Sequence, residues 1–181
     1  AWDVRYTADS TAKVAISNPS WENHRALFER AGFEVLEYPY YDPATRGLNF
    51  EAMLSGLRAL PAQSIVVLHA CCHNPTGADP TPAQWQLIAQ VVQERSLVPF
   101  LDIAYQGFGD GLEADGHVVR LFAEMGLTCF ISTSFSKSFS LYGERIGALT
   151  VVTGSADEAK RVLSQVKRVI RTNYSNPPTF G

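Results

Sequence analysis

The sequence predicts an α/β fold, a sheet covered by helices on both faces, and three observations carry that prediction. Apolar runs of strand length alternate with segments of helical period along the 181 residues. Two of the helical segments open on capping signals. Polar residues gather directly after the strand-like runs, where open α/β sheets place their ligand sites.

Taken in order, Lys13 to Ile16 reads as a strand, and Asn23 to Ala31 as a helix closed by Gly32. Phe33 to Tyr38 is a second strand, followed by a turn-rich connection through Asp42-Pro43 and Gly47. Phe50, Met53, Leu54 and Leu57 repeat at i, i+3, i+4, i+7, one apolar helix face, and Ser64 to Leu68 is a short buried strand. Thr81-Pro82-Ala83-Gln84 combines a cap, a first-turn proline and a capping-box Gln, with Trp85, Ile88, Ala89 and Val92 as the buried stripe of the helix it opens. Val98 to Ile103 is a strand carrying Asp102 near its carboxyl end. Val118, Leu121, Phe122 and Met125 mark a further helix stopped by Gly126. Thr128 to Ser132 and Gly147 to Val152 are strands flanking a polar loop. Ser155-Ala156-Asp157-Glu158 then opens a last helix, with Ala159, Val162, Leu163, Val166 and Ile170 expected to face inward.

Composition narrows the function classes. With 46% apolar residues and a net charge of −3, the chain is neither disordered nor basic enough to suggest nucleic-acid binding. No apolar run reaches the ~18–20 residues of a membrane span, and no signal-peptide pattern is present. Three cysteines, two of them adjacent, make no disulfide framework and fit a reducing, cytoplasmic setting. Cys71, Cys72 and His73 lack the spacing of a zinc site, so no metal is expected and the cysteines read as packing residues. Nor do the residues before Lys137 hold the glycines of a phosphate loop. The first residue is not Met and the sequence stops just after a helical pattern, so it is read as an excerpt of a larger protein.

If the strands are parallel neighbours, the polar groups behind them converge on one crevice. It holds a lysine (Lys137), a carboxylate (Asp102), a phenol (Tyr105), an amide (Asn74), an indole (Trp21) and a guanidinium (Arg145). Covalent aldehyde catalysis by pyridoxal 5′-phosphate (PLP) wants that set. Lys137 would form the Schiff base, and Asp102 would keep the pyridine nitrogen protonated so that the ring accepts electrons. Asn74 and Tyr105 would donate hydrogen bonds to the phenolate oxygen, and Trp21 would stack on the ring. Arg145 and the Ser134 hydroxyl would hold the phosphate, and His24 would orient the carboxylate from behind.

Six segments carry a resemblance. They are Ser17-Asn18-Pro19-Ser20-Trp21, Cys72-His73-Asn74-Pro75-Thr76-Gly77, Asp102-Ile103-Ala104-Tyr105-Gln106-Gly107-Phe108, Ser134-Phe135-Ser136-Lys137, Tyr142-Gly143-Glu144-Arg145 and Asn173-Tyr174-Ser175-Asn176-Pro177-Pro178. In this order and spacing the chain resembles class I PLP-dependent aminotransferases of the aspartate/aromatic subgroup over essentially its whole length. The resemblance implies a three-layer αβα sandwich with a mostly parallel mixed sheet. Residues 1–181 would be the central part of the PLP-binding large domain, without the N-terminal arm, the upstream phosphate-binding segment and the C-terminal small domain.

It implies that Lys137, Tyr105 and Asp102 are catalytic, Lys137 also shuttling the proton. Trp21, Asn74, Ser134 and Arg145 would complete the cofactor site, with Trp21 and Asn74 bordering the substrate as well. Arg171 would bind the distal carboxylate of a dicarboxylate in the neighbouring subunit's site, which the segment around Ser175 also approaches. The implied partners are amino-acid and 2-oxo-acid substrates and a second copy in a homodimer with shared sites. The implied activity is ping-pong transamination between an aromatic or dicarboxylic L-amino acid and 2-oxoglutarate, with aspartate aminotransferase as the alternative. A non-catalytic PLP-sensing regulatory domain and a PLP lyase or decarboxylase are competing readings. Glu22 stands where the family often has Pro.

Overall fold

The computed structural model describes residues 12–173. Its strands are β1 (Lys13–Asn18), β2 (Glu34–Pro39), β3 (Tyr41–Asp42), β4 (Gly47–Leu48), β5 (Ile65–His69), β6 (Val98–Ile103), β7 (Cys129–Ser134) and β8 (Gly147–Val152). Its helices are α1 (Glu22–Arg30), α2 (Phe50–Ala59), α3 (Pro82–Glu94), α4 (Leu112–Asp115), α5 (His117–Glu124) and α6 (Ala156–Asn173), with a 3₁₀ turn at Tyr142–Glu144.

Six strands form one sheet in the order β2-β1-β5-β6-β7-β8. All neighbours are parallel except β7 and β8, which pair antiparallel from Cys129↔Val152 to Ser134↔Gly147. The sheet is therefore mixed and mostly parallel, as expected. Alternate residues of each strand feed two separate cores, the signature of a sheet covered on both faces. Val66, Leu68, Leu101, Ile103 and Ile131 pack with the apolar stripes of α2, α3 and α5. Ile65, Val67 and Phe100 pack on the opposite face with Phe28 of α1 and with Phe33.

Local chemistry fixes the helix starts. Thr81 accepts from the Gln84 amide N–H and Gln84 returns the bond to the Thr81 N–H, the reciprocal box expected at α3. At α2 the Asn49 side chain accepts from the Ala52 N–H.

Two details differ from expectation. Within the turn-rich connection, β3 and β4 form a two-stranded antiparallel hairpin of their own. The apolar stripe of α6 does not face inward: Leu163 is 52% and Ile170 39% exposed, Ala159 is exposed, and Val162 and Val166 are only half-buried. The periodicity is that of an amphipathic helix, but no described element packs closely enough to cover the stripe.

Candidate active site

Parallel pairing aligns the carboxyl ends of β1, β5, β6 and β7, so the segments that follow them meet along one edge. His69 of β5 lies in register with Asp102 of β6, and Asp102 with Ser132 of β7. Residues in register point to the same face, here the face covered by α1. The Ser132 hydroxyl donates to Asp102 Oδ1 at 3.1 Å, and His24 Nε2 of α1 donates to Oδ2 at 3.0 Å. An ionised carboxylate accepts only, which fixes the Nε2 proton on His24. Ser20 Oγ lies 2.9 Å from His24 Nδ1 and 3.3 Å from His69 Nε2, extending the chain of polar contacts.

Burial alone would push the Asp102 carboxyl up. The hydrogen bond and electrostatic attraction from His24, together with the Ser132 hydroxyl, outweigh it and hold Asp102 below the ordinary carboxylate range. Burial and the neighbouring His24 lower the His69 pKa to about 4. His73 is lowered to about 3 by burial and by His69 and His24. It is stacked on Tyr40 at 3.8 Å, with Ser17 Oγ 3.0 Å from Nε2 and Thr76 Oγ1 2.8 Å from Nδ1. This side of the crevice thus joins a firmly anionic carboxylate to a bank of buried, neutral imidazoles.

A second group forms three residues past Asp102. Lys137 Nζ lies 5.2 Å from the centre of the Tyr105 ring and 5.0 Å from that of Tyr142. The turn bearing the lysine is tied to the turn bearing the phenol, because Ser138 Oγ donates to the Gln106 carbonyl at 3.1 Å. Arg145 takes a left-handed backbone (φ 56°) after the 3₁₀ turn and folds over Tyr142, donating to the Tyr142 carbonyl at 2.9 Å. Ser134, at the end of β7, accepts from the Ser136 N–H at 3.2 Å.

The structure thus brings Asp102, His24 and Ser132 together, and Lys137, Tyr105, Tyr142 and Arg145 together, with the short β6–Tyr105 segment joining the groups. Trp21 stands 39% exposed with its ring edge-on to His24 at 5.2 Å. Asn74 is half-buried beyond the end of β5, joined to Pro75 by a cis peptide bond. Ser134 and Arg145 bond to different partners and do not form one grip here. Arg171 lies away from both groups on α6, lining a shallow cavity with Lys167, Arg168 and Thr172. Ser175 lies outside the described residues. Sequence reasoning does not single out Ser132, and it places Tyr142 in one of the six segments without giving it a role. Strand parity was the available signal for Ser132, which shares a face with Ser134 two residues on.

A mostly parallel sheet with convergent polar groups at its carboxyl edge defines an α/β protein built to hold a ligand there. The family described as aminotransferase class I and II matches residues 4–181, and the chain belongs to that family. It is 67% identical over 170 residues to an aspartate aminotransferase of Pseudomonas aeruginosa, covering 94% of this chain and 43% of the relative. It is 56% identical over 168 residues to the aromatic-amino-acid aminotransferase of Escherichia coli, covering 93% and 42%. Among solved structures it is similar to an aromatic-amino-acid aminotransferase of Burkholderia pseudomallei covalently bound to pyridoxal phosphate. The TM-score is 0.94 at 66% identity, over 97% of this chain and 44% of that one. The chain therefore spans less than half the length of these relatives. No helix among the described residues is long and apolar enough to cross a membrane.

Proposed function

We propose that the chain is the central part of the cofactor-binding large domain of a PLP-dependent aminotransferase. The whole protein would move an amino group between an aromatic or dicarboxylic L-amino acid and 2-oxoglutarate in a ping-pong cycle, as a cytoplasmic homodimer with shared sites. The observation that carries this reading is that neighbouring strands β6 and β7 deliver, just past their carboxyl ends, a carboxylate held by His24 and Ser132 and an amine over the Tyr105 ring.

The residues present fit the cofactor by their donor chemistry. Asp102 supplies a fixed negative charge for a protonated ring nitrogen, and His24 and Ser132 keep it from taking the proton itself. When bound, the cofactor supplies an electron sink that draws charge from the substrate's Cα. Lys137 is the covalent anchor and afterwards the base that carries the Cα proton, its amine reaching the site from a half-buried turn. Tyr105 and Asn74 are the donors to the ring's phenolic oxygen, and Trp21 closes one ring face. Ser134 and Arg145 bind the phosphate, which asks Arg145 to swing from its bond to the Tyr142 carbonyl. Arg171 and Ser175 serve the partner's site, where Arg171 meets the distal carboxylate of a dicarboxylic substrate.

The aspartate aminotransferase at 67% identity supports a second reading within the same chemistry, an enzyme preferring aspartate. Turnover of phenylalanine and tyrosine against aspartate by the full-length protein separates the two. We expect appreciable aromatic turnover; exclusive use of aspartate overturns the aromatic preference. The central assignment is tested by the absorbance of the full-length protein with PLP. A pH-dependent band that Lys137→Ala abolishes is expected, and a band unchanged in that variant refutes the role of Lys137.

A further inference from the structure

The loop after β5 carries two adjacent thiols that the site above does not use. Cys71 Sγ, Cys72 Sγ and a carboxylate oxygen of Asp115 all lie within 4.8 Å of one another. Cys71 and Asp115 are buried, and both line a cavity of about 440 Å³ together with Asp79, Asp110, Glu113 and His117. The buried Nε2 of that His117 has no hydrogen-bond partner.

We propose that Cys71, Cys72 and Asp115 form a binding site for a thiophilic divalent cation of the zinc and cadmium class. Two sulfurs and one oxygen are the donors such ions select. Tetrahedral ligands at a Zn–S distance of about 2.3 Å stand about 3.8 Å apart, a spacing these atoms reach with small movements. Asp115 is already oriented from behind: Oδ2 accepts from the Gly107 and Gly109 N–H groups, and Oδ1 from Asp110 N–H alone. Oδ1 thus keeps a lone pair for a metal. Asp79 holds the thiol-bearing loop in the same way, accepting from the backbone N–H groups of Cys72 and His73. Space beside the ligands is kept by Gly109, where an added Cβ would stand 2.7 Å from Asp115 Oδ1 and 3.3 Å from Cys72 Sγ.

Each thiol that ligates releases one proton as its S–H bond is replaced by a sulfur–metal bond, with no change of oxidation state. The Cys72 proton released is the one now directed at the Tyr105 carbonyl, 3.7 Å away. Spacing along the sequence hides this site, because the third ligand comes from α4, which the fold brings alongside.

The site does not depend on the aminotransferase reading, and cadmium chloride added to the full-length, cofactor-loaded protein at neutral pH tests it. One equivalent per chain is expected to give ultraviolet thiolate-to-cadmium charge-transfer absorption with proton release. Cys72→Ala and Gly109→Ala are each expected to weaken binding by at least roughly tenfold, with unchanged circular dichroism. Gly109→Ala removes no thiol, so it reads the site even where the cysteine variant folds poorly. Absence of the absorption in the unsubstituted protein, or its full retention in both variants, overturns the proposal.

Discussion

Asp102 draws its ionisation from two donors on different elements, His24 of α1 and Ser132 of β7. An amide at this position keeps the shape but loses the charge. Asp102→Asn in the full-length protein is therefore expected to lower kcat by at least about 100-fold while the fold survives; steady-state transamination and thermal unfolding measured together check this. The neighbouring histidines make a separate prediction about acid. His69 and His73 have pKa values of about 4 and about 3 when folded, against about 6.5 unfolded, so between these values the unfolded chain binds more protons. Stability is then full above about pH 6.5 and is lost as pH falls towards 4, by up to about 3 kcal/mol for each histidine. Urea unfolding of the full-length protein across pH 4–8 is expected to show this slope, and His69→Gln to flatten it.

At the scale of elements, β8 runs against its neighbour β7, and Gly147 is where it must come closest. A Cβ there would stand 2.6 Å from the Thr133 carbonyl oxygen, a backbone atom that cannot step aside. Gly147→Ala is expected to cost about 1–3 kcal/mol and to weaken cofactor binding, because the lysine-bearing loop hangs from this strand pair. Thr81→Ala, which removes the α3 cap far from the lysine, is expected to cost about 1 kcal/mol and leave cofactor affinity unchanged. Chemical denaturation and a cofactor titration on both variants distinguish the two effects. The long elements were legible because their periodicity and caps are local properties, as at α3. The β3–β4 hairpin and α4 were not, since two-residue strands and a four-residue helix are too short to show a period. Strand direction at β8 was equally hidden: Gly147 to Val152 reads alike in either sense.

For the whole molecule, the same limit explains α6. An amphipathic pattern specifies that a face is apolar, not what lies against it, and Leu163 and Ile170 stand exposed. The 181-residue chain on its own is expected to self-associate and to bind hydrophobic dyes, and Leu163→Lys with Ile170→Lys to reduce both. Sedimentation and dye fluorescence check this. The candidate site was legible to the extent that it follows strand ends: Asp102 ends β6 beside His24 of α1, and Lys137 after β7 lies over Tyr105 after β6. Ser132 escaped because its partner is fixed by strand register. The companionship of Cys71 and Cys72 with Asp115 escaped because it is made by tertiary folding.

The pairing of Ser134 with Gly147, and of the Phe135 N–H with the Ile146 carbonyl, ties off the stretch between them at both feet. The amine and the guanidinium ride in that single noose. A thermal opening of the β7–β8 clasp would release them in one event, so amide hydrogen exchange across residues 135–146 should proceed as one cooperative unit.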